Sequence, residues 1–156
     1  MAADLGFQRL LVPVAESAET EQAVDVACRL ATQRAAVVTL VAVVEIPPLL
    51  PLDAHMVEEE ARNQQLLKRH AAIVDSYGVG LSRRLLRGRD AAAPILAQAE
   101  ASDCEVILLG VPHRRTTKRG LPAFGSTVEH VLKRAPCRVM LIGPAPPAVS
   151  SVHAAA

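Results

Sequence analysis

Aromatic residues are nearly missing from this chain: two Phe (Phe7 and Phe124), one Tyr (Tyr77) and no Trp among 156 residues. That scarcity argues against activities that need stacking platforms, such as gripping single-stranded nucleic acid. Charge of one sign is also missing. Seventeen Lys and Arg against sixteen Asp and Glu leave a formal charge of +1, so no global field recruits nucleic acid or an acidic membrane. Cysteine is sparse and odd in number: Cys28, Cys104 and Cys137 lie far apart, which makes neither a disulfide framework nor a zinc knuckle. Such thiols suit a reducing compartment. The longest apolar run, Ala35 to Val44, falls well short of the roughly 18 residues of a membrane span. The opening Met1-Ala-Ala-Asp-Leu-Gly6 lacks the basic and apolar regions of a signal peptide. These absences lead to the expectation of a cytoplasmic chain with no membrane insertion and no nucleic-acid partner.

What is there is aliphatic. Hydrophobic residues make up 51% of the chain, enough to bury a core for one domain of ordinary size. Five runs punctuate the sequence: Leu10–Val14, Val37–Val44, Leu81–Arg87, Val106–Leu109 and Arg138–Ile142. All but the third are short, β-branched and continuously apolar, the pattern of strands covered on both faces. The third carries Arg83, Arg84 and Arg87, which suits a sheet edge. Helical periodicity fills the gaps. Ala23, Val26, Ala27, Leu30 and Ala31 share one helix face, with Ser17 or Thr20 as its cap. A long helix is expected from about Asp53 to Tyr77, burying Val57, Ala61, Leu67, Ala71 and Val74 and ending at Gly78. A third centres on Ala92, Ile95, Leu96 and Ala99, with Pro94 early enough to be tolerated. The fourth spans Ser126 to Arg134 with Val128, Val131 and Leu132 inward.

The alternation predicts an α/β fold: a single doubly wound five-stranded parallel sheet with helices on both faces, of flavodoxin-like size. The domain is expected over residues 7–143, followed by a Pro- and Ala-rich tail, 144–156, expected to be disordered. Ligands of such sheets sit beyond the carboxyl ends of the strands, at the point where strand order reverses. The candidate contacts are therefore the loops Ala15–Ala18, Glu45–Pro51 and Gly110–Gly125.

The last of these loops is unusual. It packs Arg114, Arg115, Lys118 and Arg119 into six residues and enters a helix through Gly125-Ser126-Thr127. A helix N-terminus with free N–H groups, two hydroxyls and nearby cations is an anion site. The same residues also read as a solvated basic loop and an ordinary helix cap, and the spacing alone leaves both open.

The chain resembles the universal stress protein family from Leu10 to Ile142. The resemblance rests on Leu10-Leu-Val-Pro-Val14, Thr39-Leu-Val-Ala-Val-Val44, Gly88-Arg-Asp-Ala91 with Ile95-Leu-Ala97, Val106-Ile-Leu-Leu-Gly110, and above all Gly125-Ser-Thr-Val-Glu-His-Val-Leu-Lys-Arg-Ala-Pro-Cys-Arg-Val-Met-Leu-Ile142. It implies an adenine-nucleotide alpha-hydrolase-like version of the fold. Nucleotide-binding members carry Gly-x-x-Gly, nine residues, then Gly-Ser/Thr. Here Gly110 and Gly125-Ser126 stand in place, His113 replaces the second glycine, and eleven residues separate His113 from Gly125. Ala15 occupies the position of the ribose-binding Asp, with Glu16 beside it, and Val43 matches the aliphatic wall of the base. The resemblance thus implies an adenine nucleotide of the ATP or AMP type, with Mg only if ATP is bound. Its site would be Ala15, Val43, Gly110, His113, Arg114, Arg115, Gly125, Ser126 and Thr127. The opening strand is also similar to stress-protein domains appended to amino-acid permeases. Dimerisation by antiparallel pairing of the last strand, residues 138–142, is a further implication, and the bare edge of that run agrees with it.

Other motifs carry less. Gly78-Val-Gly80 follows a helix and lacks a third glycine, so it is no dinucleotide fingerprint. His113 has no paired carboxylate or nucleophile and reads as a loop histidine. His55, His70 and His130 show no metal-ligand spacing, Cys137 reads as packed, and Glu58-Glu-Glu60 as facing water. No catalytic or metal-ligating residue is assigned. The reading is a non-catalytic, homodimeric regulatory module that binds an adenine nucleotide. The alternative is a nucleotide-independent interaction domain for a transporter or another regulatory partner, and slow ATP hydrolysis ranks third.

Overall fold

In the computed structural model, residues 6–32, 35–112, 115–116, 122–123 and 125–144 are described. The elements run β1 (Arg9–Pro13), α1 (Ala18–Thr32), β2 (Val37–Glu45), α2 (Val57–Tyr77), β3 (Gly80–Gly88), α3 (Ala92–Ala101), β4 (Val106–Gly110), β5 (Arg115–Thr116), β6 (Pro122–Ala123), α4 (Ser126–Arg134) and β7 (Arg138–Ile142). Five strands form one sheet in the order β3-β2-β1-β4-β7, every pair parallel. The doubly wound sheet expected from the alternation is therefore what the chain builds. β5 and β6 form a separate two-stranded antiparallel pair within the loop after β4, an addition the apolar pattern does not announce because two-residue strands have no periodicity. Arg114 and His113, and the tail beyond Pro144, lie outside the described residues.

Alternation along each strand divides the core. Leu10, Val12, Val38, Leu40, Val106 and Leu108 meet Ala23, Val24, Ala27 and Ala31 of α1 and Leu66, Leu67, Ala71 and Val74 of α2. Leu11, Val41, Ile107 and Leu109 point the other way, onto Ala92, Ile95 and Ala99 of α3 and Val128 and Val131 of α4. Side chains two residues apart share a face, so continuous apolar runs are what a sheet covered twice requires. Burying each such Leu, Ile or Val contributes about 1.5–3 kcal/mol. Arg83 and Arg84 are exposed on the β3 edge, where a charged rim discourages further pairing. The cap of α1 is Ser17, whose Oγ accepts from the Thr20 backbone N–H at 3.2 Å. Gly78 closes α2 in the left-handed conformation, φ 69°.

Three expectations need correction. First, α2 begins at Val57, not Asp53, and Val57 and Ala61 are exposed. The carbonyls of Leu52 and Ala54 accept from the guanidinium of Arg87, so the chain before Val57 is held as a loop, and the buried stripe starts at Leu66 and includes His70. Second, Leu132 on α4 is 45% exposed; the buried residues of this helix are Val128 and Val131, which join Ile95 and Ala99 of α3 in one cluster. Third, the acidic run does not all face water: Glu60 forms an ion pair with Arg87, which draws it against β3.

Candidate functional site

α1 carries the chain from β1 to β2 on one side, whereas β3 crosses through α3 to β4 on the other. Strand order therefore reverses between β1 and β4, and their carboxyl ends diverge. A cavity of about 460 Å³ opens there, within the ~300–1,000 Å³ range of small-molecule pockets. Pro13, Val14, Ala15 and Glu16 reach it from the end of β1, and Val41, Val43 and Glu45 from β2. Leu109 and Gly110 come from β4, Arg62, Asn63 and Leu66 from α2, Ala91 and Ile95 from α3 and its approach, and Thr127 and Val128 from α4.

Of the residues singled out from the sequence, Ala15, Val43, Gly110 and Thr127 are brought together on this wall. Gly125 and Ser126 lie immediately before Thr127 and are exposed; they do not line the cavity itself. Arg115 opens β5, and the side chains of that hairpin lie outside the described residues, as do His113 and Arg114. Sequence reasoning missed Arg62, Asn63 and Leu66. They fall at i, i+1 and i+4 on α2, a flank of the helix whose orientation depends on how α2 crosses the sheet.

The two glycines at the site are there for different reasons. A Cβ on Gly110 would lie 2.6 Å from the Glu19 carbonyl carbon and oxygen and 2.7 Å from the Thr20 nitrogen. Only glycine lets the end of β4 touch the first turn of α1 so closely. Gly125 has φ 91° and ψ 159°, a conformation essentially reserved for glycine, and a Cβ there would meet nothing within 4 Å. It stands as the N-cap of α4 without any side-chain cap hydrogen bond. Among the described residues no side chain accepts from the first-turn N–H groups of α4, and the positive end of the helix dipole stands behind them.

The cavity is apolar on its α3 and β4 sides and along Val41 and Val43 of β2, and polar at Glu45 and toward α1, α2 and α4. Its ionisable groups are Glu16, Glu45 and Arg62, and Arg62 makes no ion pair among the described residues. Asn63 donates to the Glu59 carbonyl at 2.8 Å, leaving its amide oxygen available. Such a space can hold a flat apolar ring against Val41 and Val43 and an anion toward α4. Among the described residues no cluster of His, Cys, Asp and Glu could hold a metal ion, and no helix is long and apolar enough to cross a membrane.

The sequence model of the universal stress protein family matches residues 6–143. No curated protein sequence matches the chain significantly. Solved structures of similar fold include a universal stress protein from Archaeoglobus fulgidus, with a TM-score of 0.71, 20% identity, and coverage of 87% of this chain and 98% of that one. A universal stress protein of the same organism in complex with dAMP superposes with a TM-score of 0.68, 19% identity, and coverage of 88% and 99%. An Arabidopsis thaliana family member with AMP bound gives 0.63, 18% identity, and coverage of 89% and 95%.

Proposed function

The chain belongs to the universal stress protein family, and from that premise we propose that it is a regulatory module whose cavity takes an adenine nucleotide. One observation carries the reading: the cavity at the strand-order reversal joins an aliphatic wall, Val41 and Val43, to the uncapped N-terminus of α4. The wall suits a purine ring, and free N–H groups at a helix start suit a phosphate. Two similar folds were solved with dAMP and with AMP, which supports the choice of base. Glu16 and Thr20 take the place where a ribose would be met, in the absence of a carboxylate at Ala15. The lining groups Glu16, Thr20, Glu45, Arg62 and Thr127 are those of recognition, and the module is proposed to hold the nucleotide in a regulatory, non-catalytic role.

The test is mass spectrometry of the small molecules released when the untreated, purified protein is denatured, followed by calorimetric titration with AMP and ATP. Stoichiometric adenine nucleotide, or saturable binding of one, supports the reading. A blank release together with no heat at millimolar nucleotide would refute it in favour of an interaction domain.

The same module is proposed to work as a homodimer through β7. That strand pairs with β4 alone among the described residues, and Val139, Met140, Leu141 and Ile142 are only half-buried. A second copy of β7 laid antiparallel would close the edge and cover those side chains. Sedimentation velocity should give a dimer, and Leu141→Pro, which removes a ladder N–H, should give a monomer; a monomeric parent chain would overturn the assembly.

A further inference from the structure

We propose that Cys104 and Cys137 form a redox modification site, a dithiol that a hydroperoxide closes to an intramolecular disulfide. The two thiols stand 33 residues apart in sequence, and their Sγ atoms are 3.7 Å apart in space. Cys104 precedes β4 and Cys137 precedes β7, so the parallel pairing that matches Val106 with Arg138 delivers both to one end of the sheet. They lie at the amino ends of those strands, the end opposite the cavity, so this site is independent of the nucleotide reading.

Closing an S–S bond of about 2.05 Å requires the sulfurs to approach by somewhat under 2 Å, a movement of side chains already in contact. The pair is also unequal in a useful way. Cys104 is 8% exposed and its Sγ–H donates to the Val106 carbonyl at 3.2 Å, whereas Cys137 is half-buried and open to small solutes. Cys28, fully buried on the other face of the sheet, has no second thiol beside it. The steps balance as follows. The Cys137 thiolate attacks the peroxide, the O–O bond breaks, and with one proton an alcohol or water leaves a sulfenic acid on Cys137. The Cys104 sulfur then attacks that sulfur; the S–S bond forms, the S–O bond breaks, and water departs with the Cys104 proton. Two thiols give up two electrons and the peroxide accepts them. Burial holds both thiols above the ordinary cysteine range, which makes closure slow at neutral pH and confines it to sustained oxidant.

The disulfide would enclose the segment that carries Gly110, the β5–β6 pair and α4. A loop of that length predicts a rise in melting temperature of about 7–15 °C in a chain of this size. The experiment treats the full chain with hydrogen peroxide, denatures it in N-ethylmaleimide, and weighs it intact and after proteolysis. The expected result is a loss of 2 Da, one maleimide per chain (on Cys28), joined peptides containing Cys104 and Cys137, and reversal by dithiothreitol. Cys137→Ser, at a half-exposed position that tolerates a hydroxyl, should keep two maleimides and show no thermal shift. Any of three results would overturn the proposal: three maleimides after a peroxide dose that oxidises the denatured chain, Cys137 advanced to a sulfinic acid with Cys104 still free, or Cys137 joined between two chains.

Discussion

Replacing Ser126 by glutamate places a carboxylate in the first turn of α4, where two effects of opposite sign can be read separately. For the fold the change is favourable or neutral. Ser126 is exposed and lies one residue inside the N-cap, Gly125, so the cap residue is untouched, and an anion at a helix start contributes about 0.3–1 kcal/mol. For a bound phosphate the change is adverse, because the new charge occupies the field the phosphate would use. Two units of phosphate charge about 4 Å from the carboxylate repel it by roughly 2 kcal/mol even at the dielectric constant of water, and by more where water is excluded. At 1.36 kcal/mol per tenfold that is about a thirtyfold loss of affinity. The separation is well inside the ~8 Å screening length at physiological salt, so most of the loss should persist there. Calorimetric titration of parent and variant with AMP and with adenosine is the assay, alongside a thermal melt. AMP affinity should fall about thirtyfold, adenosine affinity should stay within twofold, and the melting temperature should hold or rise. Equal losses for both ligands, or none for AMP, would refute the placement of the phosphate at α4.

Other perturbations address the scaffold. Gly110→Ala should destabilise the chain by about 1–3 kcal/mol in urea denaturation, since the added Cβ meets backbone of α1 at 2.6 Å; an unchanged midpoint would mean that the contact is looser than it stands. His70→Leu should leave stability unchanged or raise it by about 1 kcal/mol. The ring is fully buried, its Nδ1 lies 2.9 Å from the Leu66 carbonyl, and its Nε2 has no partner, so an unsatisfied acceptor is removed; a loss beyond 2 kcal/mol would show that Nε2 is satisfied by ordered water. Stability should also fall in alkali. Burial pushes Cys28 up to about 11 and Cys104 up to about 12, from an ordinary value near 9.0. The unfolded chain then loses these protons first, so this contribution is complete below pH 9 and declines by about 1.4 kcal/mol per pH unit per thiol above it. Denaturation midpoints from pH 8 to 11 check the slope, and Cys28→Ala should make it shallower, leaving the part due to Cys104 and Cys137.

Most of the fold was legible because burial on two faces writes itself as unbroken β-branched runs. Val37–Glu45 and Val106–Gly110 could hardly be anything but central strands, and the arginines of β3 marked an edge. The start of α2 was not legible. Whether Asp53 and Ala54 join the helix is decided by Arg87, more than thirty residues later, which takes the carbonyls the first turn would need. The candidate site divided along the same line. Ala15, Val43, Gly110 and Thr127 follow from topology, since the ends of β1, β2 and β4 must converge where strand order reverses. Arg62 and Asn63 do not, because the rotation of a helix about its axis is set by packing that single-chain periodicity reads only to within a residue or two. The pairing of Cys104 with Cys137 was equally hidden: it depends on the register of β4 against β7, a non-local quantity.

Gly110 and Gly125 show how one letter can hold two kinds of information. Read in sequence, both belong to a glycine pattern that the family resemblance attaches to phosphates. In space, Gly110 is determined by the backbone of α1 pressing against it, and it would be glycine whether or not a ligand ever bound. Among the described residues nothing presses on Gly125, and its cost is conformational alone, so packing does not explain a glycine at this helix start. A bound phosphate would therefore account for the second glycine, whereas the first needs none. The two substitutions separate these roles. Gly110→Ala should lose stability, whereas Ser126→Glu, one residue beyond Gly125, should keep its stability and lose the phosphate. If both variants lost nucleotide only in proportion to lost stability, the cavity would be a consequence of the topology with no ligand selecting its walls.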